Sequence, residues 1–516
     1  MTRFADYWGE LPYFEDILFF FVDDETAALN GLKAGEYDIV TAVVGEGVDR
    51  VPTFIENDDF QVVFELGGEI SYIFLNHNMP ELEDIRVRQA IAHAIDRQPH
   101  IDAALAGFGD PSCLIAVPHS VAYNSDYCPY PYDPDRAIEL LAEAGQSDLV
   151  IDFPFVNVAY HPPVMEILVA QLAAVGITAS TRSEDLPTWL DRTWTQGNYE
   201  MSQITDSGPI SQFGCEGGRE PLGKSSQLCI PELEAMLTAS DTYVDRDEYL
   251  AAMAELTNTF ADLAWVTAMF APRTPQVARA DLAGIQAIRI NNSFDLGNIT
   301  WSDGDAPVAE PAPVAEAAPA AEAADSRGTL LTLTLPQEPA SWNYWEVGAN
   351  ALRVPTFYNV QEALVENLPD GSIIPMLAEA WEVSDDGRVF TFTIREVKFH
   401  DGTDLDSADV VYSLNKNAES PLGKLSTVYG NVESVEATDA RTVVITLINP
   451  SASFLPEMGW SAGYVVPEDS HEELDLATQM PGTGPYVFGE YKPDTSLTMT
   501  RFADYWGELP YFEDIL

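Results

Sequence analysis

Seven histidines, four cysteines and 83 carboxylates are the residues of this chain that could bind metal, attack a substrate or move a proton. His77, His93, His100, His119, His161, His400 and His471 form no ligand motif, and His471-Glu472-Glu473 lacks the second histidine of a zinc protease. Paired carboxylates suited to glycoside hydrolysis carry no information in a chain this acidic, since a solvated acidic surface takes nearly all of them. Neither a catalytic group, nor a metal, nor a cofactor is therefore expected. The cysteines fall into two local pairs, Cys113 with Cys128 and Cys215 with Cys229, without zinc-like spacing. Four cysteines permit three pairings, of which proximity favours the local one. Each local disulfide would close a loop of about 15 residues, for roughly 3 kcal/mol of chain entropy. Disulfides imply an oxidising compartment outside the cytoplasm; the alternative is four reduced core cysteines.

The elements that must position any site are legible in the hydrophobic pattern. Asp370-Gly371 and Asp385-Asp386-Gly387 are turn signals, and Arg388 to Arg395 alternates apolar with polar, which predicts a strand pair. His400-Asp401-Gly402 closes another loop, and Asp406 or Ser407 caps a helix presenting Val410, Val411 and Leu414 on one face. Phe19 to Val44 reads as strand, helix (Thr26 to Ala34, stopped by Gly35) and strand. Alternating strands follow over 60 to 76, closed by Asn76-His77-Asn78. Helices are predicted over Asp84 to Arg97, from Asp133-Pro134 to Gly145, over Val164 to Val175, Pro231 to Ala239 and Asp245 to Phe260. Strands are expected at Ile177 to Thr181, Trp265 to Phe270 and Leu330 to Pro336. This is the alternation of an α/β protein. The place that points to a ligand is Tyr199 to Pro209, where a short strand runs into a Gly/Pro loop, because strand-end loops hold ligands in such folds.

The run from Pro369 to Asn415 resembles the signature of the peptide/nickel class, family 5, of solute-binding proteins that serve ABC importers. Gly482-Thr483-Gly484-Pro485-Tyr486-Val487-Phe488 is similar to that family's GTGPY-x-F strand, followed by the Tyr505-Trp506-Gly507 turn. Glu25 to Asp38 and Ile85 to Ile91 resemble later family segments. The resemblance implies a two-lobed α/β fold of the type II periplasmic-binding-protein kind, with mixed sheets, an extra subdomain and circularly permuted order. In peptide-binding relatives an aspartate in the strand-end loop pairs with the ligand's ammonium group. Asp206 matches it, with Thr205 and Ser207 beside it; the other reading of Asp206 is a turn residue capping its own loop. Ile204 stands where a Trp is usual, and Pro209 to Phe213 where the relatives carry an acidic run. Trp342, Gly348, Ala349 and Asn350 belong to a loop that in relatives faces the cleft, and Trp460 lies in a similar one.

Met1 to Leu18 recurs letter for letter as Met499 to Leu516. Reading 328–516 and then 19–303 restores the family's order, so tandem modules are expected, with a circular permutant as the alternative. The resemblance places 1–75 in lobe I, 76–271 in lobe II, 272–303 back in lobe I, and 328–516 as the module's natural beginning, its extra subdomain at about 351–472. Residues 304–327, almost wholly Ala, Pro, Glu and Val, form a linker that cannot bury a core. With 25 basic residues, six of them lysine, and a net charge of −58, nucleic acid is excluded as a partner. Such charge strains the compact state by self-repulsion, which salt relieves, so adaptation to high salt is expected. No apolar run reaches the roughly 18 residues of a membrane span, so any export signal or anchor is expected outside this sequence. The expected partners are a small solute, most readily a peptide, and ABC permease subunits, in an extracytoplasmic setting. The competing class is an enzyme or a sensory or adhesion module on the same fold.

Overall fold

The computed structural model describes residues 16–22, 24–43, 45, 47–64, 68–76, 78–116, 118, 123–157, 161–206, 231–240, 242–285, 296, 299–302, 330–335, 338–339, 341–343, 355–367, 372–420, 427–459, 461–502 and 505–506. The expected linker at 304–327, and Cys215 and Cys229, lie outside them.

In chain order the strands are β1 (Asp16–Phe21), β2 (Ile39–Val40), β3 (Phe60–Phe64), β4 (Ile70–Leu75), β5 (Gly109–Pro111), β6 (Val150–Val156), β7 (Thr178–Glu184), β8 (Met201–Asp206), β9 (Val266–Pro272), β10 (Pro275–Arg279), β11 (Leu282–Ala283) and β12 (Thr300–Trp301). They continue with β13 (Leu330–Leu335), β14 (Val365–Asn367), β15 (Ile373–Pro375), β16 (Ala378–Val383), β17 (Val389–Ile394), β18 (Val432–Asp439), β19 (Thr442–Leu447), β20 (Tyr486–Lys492) and β21 (Ser496–Arg501). A seven-stranded mixed sheet has the order β20-β21-β1-β13-β2-β10-β3. Its middle joins distant parts of the chain: β1 runs parallel to β13 and antiparallel to β21. Phe19, Leu331, Leu333, Leu497 and Met499 are buried on it, and each such large apolar side chain taken out of water contributes roughly 1.5–3 kcal/mol.

Of the duplicated segment, residues 16–18 are described in the first copy and 499–502 and 505–506 in the second. With the shift of 499 − 1 = 498, the second copy fills repeat positions 1–4 and 7–8 and the first fills 16–18. No position is filled twice among the described residues, and the two meet where Ile17 pairs with Met499.

A second sheet, β5-β9-β4-β8, has a core drawn wholly from residues between Ile70 and Ala271. β4, Ile-Ser-Tyr-Ile-Phe-Leu, is buried at every position, as a largely apolar strand covered on both faces should be, with Ser71 its one small polar residue. The chain passes from the first sheet to the second between Phe64 and Ile70 and returns between Pro272 and Pro275. The outward passage thus lies ahead of the crossing expected near residue 76, because β4 pairs with β8 and β9 rather than with the first sheet. A third sheet, β16-β17-β19-β18, has its own core around Phe390, Phe392 and Ile394, which alternate with half-buried residues along β17.

The stop at Gly35 and the caps expected at Asp133 and Asp406 form, and Asp24 adds another. Asp24 accepts from Ala27 N, and Gly35, at φ 76°, ends the helix Glu25–Ala34. Asp133 caps Pro134–Ala144, and Asp406 and Asp409 make a reciprocal capping box on Ser407–Glu419. The helix predicted to run to Arg97 stops at His93 and a new one spans Gln98–Ala104. Pro99 cannot donate to Ile95 O, and the His93 carbonyl is taken by Asp133 N.

One buried carboxylate ties these parts together. Glu362 accepts from Thr483 Oγ1 (2.8 Å), Tyr505 OH (2.7 Å) and Trp506 Nε1 (2.7 Å), while Arg395 lies 4.3 Å over the Trp506 ring. Thr483 is held there because its flanking glycines press on backbone: a Cβ on Gly482 would stand 1.9 Å from Val360 O, and one on Gly484 2.6 Å from Asn359 O. Burial pushes the Glu362 carboxyl up to about 7, against the three hydrogen bonds that favour its ionised form. A carboxyl raised in the folded state holds more protons there than in the unfolded chain, so its contribution to stability is lost as pH rises from about 4.5 through 7, on the order of 3 kcal/mol in all. Urea titrations of wild type and Glu362→Gln from pH 4.5 to 8 should show the wild type losing stability relative to the variant with rising pH; parallel pH profiles would contradict this.

Candidate ligand site at the sheet crossing

The second sheet meets the crossing at one end of the β4–β8 ladder. That ladder pairs all six residues, from Leu75 with Met201 to Ile70 with Asp206. Residue 206 therefore occupies the last rung, opposite the first residue of β4 after the passage from the other sheet. Ser207, Gly348, Ala349, Asn350 and Trp460 lie outside the described residues. Thr205 is opposite Ser71, and its hydroxyl is buried. Gln203, on the same face as Thr205 and Ser71 by strand alternation, donates from Nε2 to Ser71 Oγ at 2.9 Å.

On its other side β8 approaches β6 without forming a ladder. Glu200 N donates to Asp152 O at 3.3 Å, Asp152 N to the Glu200 carboxylate at 2.6 Å, and Ser202 Oγ to Pro154 O at 2.6 Å. Pro154 has no N–H to return. Past Glu200, therefore, the outward backbone of β8 has no strand partner among the described residues.

The crossing is packed rather than open. Phe64, ending β3, meets Phe108 at 4.9 Å between ring centres, and Arg273, between β9 and β10, donates its N–H to Phe108 O. The Arg273 guanidinium grips Asp110 with two bonds of 2.7 Å. Farther off, the second sheet's domain touches the third sheet's hairpin: a Cβ on Gly387 would stand 2.7 Å from Val244 Cγ2.

Trp342 is core in this conformation, 1% exposed and edge-on to Phe488 and Tyr491 at 5.0 and 5.4 Å. Cys113 and Cys128 are bonded, with Cα atoms 5.1 Å apart. Arg88 and Arg97, which the helical pattern sets on faces other than the apolar one, are buried. Arg88 gives hydrogen bonds to the carbonyls of Leu82, Glu83 and Leu263 and stacks 3.9 Å over Trp265. Arg97 donates to Ser112 O and Ala268 O. Burial lowers both guanidinium groups to about 10. Arg88 stands three residues before the apolar Ile91, and that spacing could have shown it facing inward. A groove of about 340 Å³ lined by Val411, Tyr412, Lys416 and Glu468 lies on the third sheet's domain, away from this crossing. Among the described residues there is no cluster suited to a metal and no helix long and apolar enough to cross a membrane.

The profile of bacterial extracellular solute-binding proteins, family 5 (Middle), matches residues 1–211 and 372–516, well over half of the chain. The chain belongs to this family. A Brucella ovis protein named for peptide binding in an ABC transporter is 29% identical over 227 residues, 43% of this chain and 41% of that one. The glutathione-binding protein GsiB of Salmonella choleraesuis is 31% identical over 188 residues, 36% of each chain. The Escherichia coli dipeptide-binding protein is 32% identical over 174 residues, 28% of this chain and 32% of that one. The chain thus spans less than half the length of these curated relatives. The Listeria monocytogenes ABC transporter substrate-binding protein CtaP superimposes with a TM-score of 0.48 at 18% identity, over 55% of this chain and 59% of that one.

If residue 206 supplies the anionic contact of this family member's site, Asp206→Ala should weaken peptide binding by about 2–5 kcal/mol in calorimetry, the cost of stranding a paired charge. An unchanged Kd would remove Asp206 from the site.

Proposed function

We propose that this protein is an extracytoplasmic solute-binding protein that captures a small solute, most readily a peptide, between two lobes and hands it to an ABC import permease. One lobe holds the seven-stranded sheet, the other residues from about 70 to 271, and the third sheet forms the extra subdomain of about 351–472. The observation that carries this reading is the placement of the β8 end beside both passages between the sheets. Chain that crosses twice between lobes gives a pair of short connections about which they can swing, and a solute touching both lobes favours the closed arrangement. Asp206 would meet a cationic group of the ligand, and the unladdered outer backbone of β8 offers an extended peptide its N–H and C=O groups. Family membership supports the reading and names several relatives of the same kind. We read the segment order as circularly permuted: β1 and β21, at opposite ends of this chain, pair antiparallel as sequence neighbours would, Ile17 with Met499.

A thermal-shift screen with di- to pentapeptides, oligosaccharides, opines and chelated nickel tests it. A ligand at 100 times its Kd that binds only the folded protein stabilises by roughly 2.7 kcal/mol. Peptides should raise the melting temperature; a response confined to the sugars, opines or nickel would replace the peptide by that class, and no response to any would contradict solute capture.

A further inference from the structure

Ser71, Gln203 and Thr205 lie on one face of the β4–β8 ladder: Ser71 and Thr205 form the second rung from the crossing, and Gln203 stands two rungs farther in, opposite Ile73. Ser71 and Gln203 are fully buried. The Gln203 side chain reaches two rungs toward the crossing to give its Nε2 hydrogen to Ser71 Oγ, which carries its carboxamide to the Thr205 row. There two polar atoms are left over: Gln203 Oε1 and Thr205 Oγ1 are both buried and have no hydrogen-bond partner. A buried acceptor or hydroxyl left unpaired costs about 1–3 kcal/mol, and two of them side by side at a strand end in a solute-binding protein call for an occupant.

The chemistry of that occupant follows from the groups. Gln203 Oε1 only accepts, Thr205 Oγ1 both donates and accepts, and none of the three side chains carries a charge. We propose that Ser71, Gln203 and Thr205 form a neutral polar subsite that takes a hydroxyl or carboxamide side chain of the bound peptide and disfavours an aliphatic one of the same shape. The proposal rests on the peptide-binding reading above and adds its selectivity. Sites built to hydrogen-bond a ligand group discriminate strongly against the analogue that lacks it, because their own buried groups are then stranded.

The test uses the full chain and a mixture of tripeptides in which one of three alanines is replaced in turn by Thr, Val, Asn or Leu; peptides retained through gel filtration are counted by mass spectrometry. Wild type should retain, at one position, Thr over Val and Asn over Leu by about tenfold or more. Gln203→Leu and Thr205→Val should each bring those ratios close to one, and Thr205→Val, which only exchanges a hydroxyl for a methyl, guards against a variant that fails to fold. Retention by wild type without the preference, or a preference that survives in folded variants, would overturn the subsite and leave the three side chains holding a structural water. Retention of no peptide at all would instead overturn the peptide reading, and the subsite with it.

Discussion

The pairing of β1 with β13 on one side and β21 on the other is the constraint on which the rest of the architecture depends. Residues 16 and 330 are neighbours in the sheet, as are 17 and 499. Without β1, the β20–β21 hairpin would be cut from β13, and the Glu362 cluster with Tyr505 and Trp506 would lose the sheet that carries it. Closing a loop of several hundred residues costs little more than closing one of a hundred, since the entropy grows only with the logarithm of length. The buried Phe19, Leu331, Leu333 and Leu497 side chains on one face of these strands supply what that closure requires.

The chain passes from this sheet to the second between Phe64 and Ile70 and returns between Pro272 and Pro275, and the second sheet's core is drawn from described residues between Ile70 and Ala271, while Phe108 packs on the first sheet's side. The Phe64–Phe108 ring contact and the Arg273–Asp110 ion pair pack the seam where the two passages lie. The Val244 contact with the hairpin turn at Gly387 lies across the gap from that seam.

Much of this was legible because local signals and the global fold agree. The alternation of Val389 to Ile394, the Asp406 cap, Gly35 and the Cys113–Cys128 proximity each have a local physical cause that a sequence displays. The errors arise where distant residues decide. The helix break at His93 turns on a bond from Asp133, although Pro99 marked it in advance. Asn76 looked like the end of the first lobe because strand alternation does not say which sheet a strand joins. Glu362 gave no signal among 83 carboxylates, since its burial is made by Thr483 and Trp506, more than 100 residues away. Of the candidate site, the strand-end position of Asp206 was legible, whereas the Gln203–Ser71 bond joins residues 132 apart and no spacing rule reaches it.

The central claim is that a solute closes two lobes about the crossing at 65–69 and 273–274. The most direct measurement is the distance between spin labels carried on p-acetylphenylalanine at positions 242 and 385, on either side of the Val244–Gly387 contact, read by pulsed electron resonance with and without a retained peptide. The account predicts a longer, broader distribution in the free protein and a short, narrow one with peptide bound. An identical distribution in both states, with binding shown on the same sample, would contradict it.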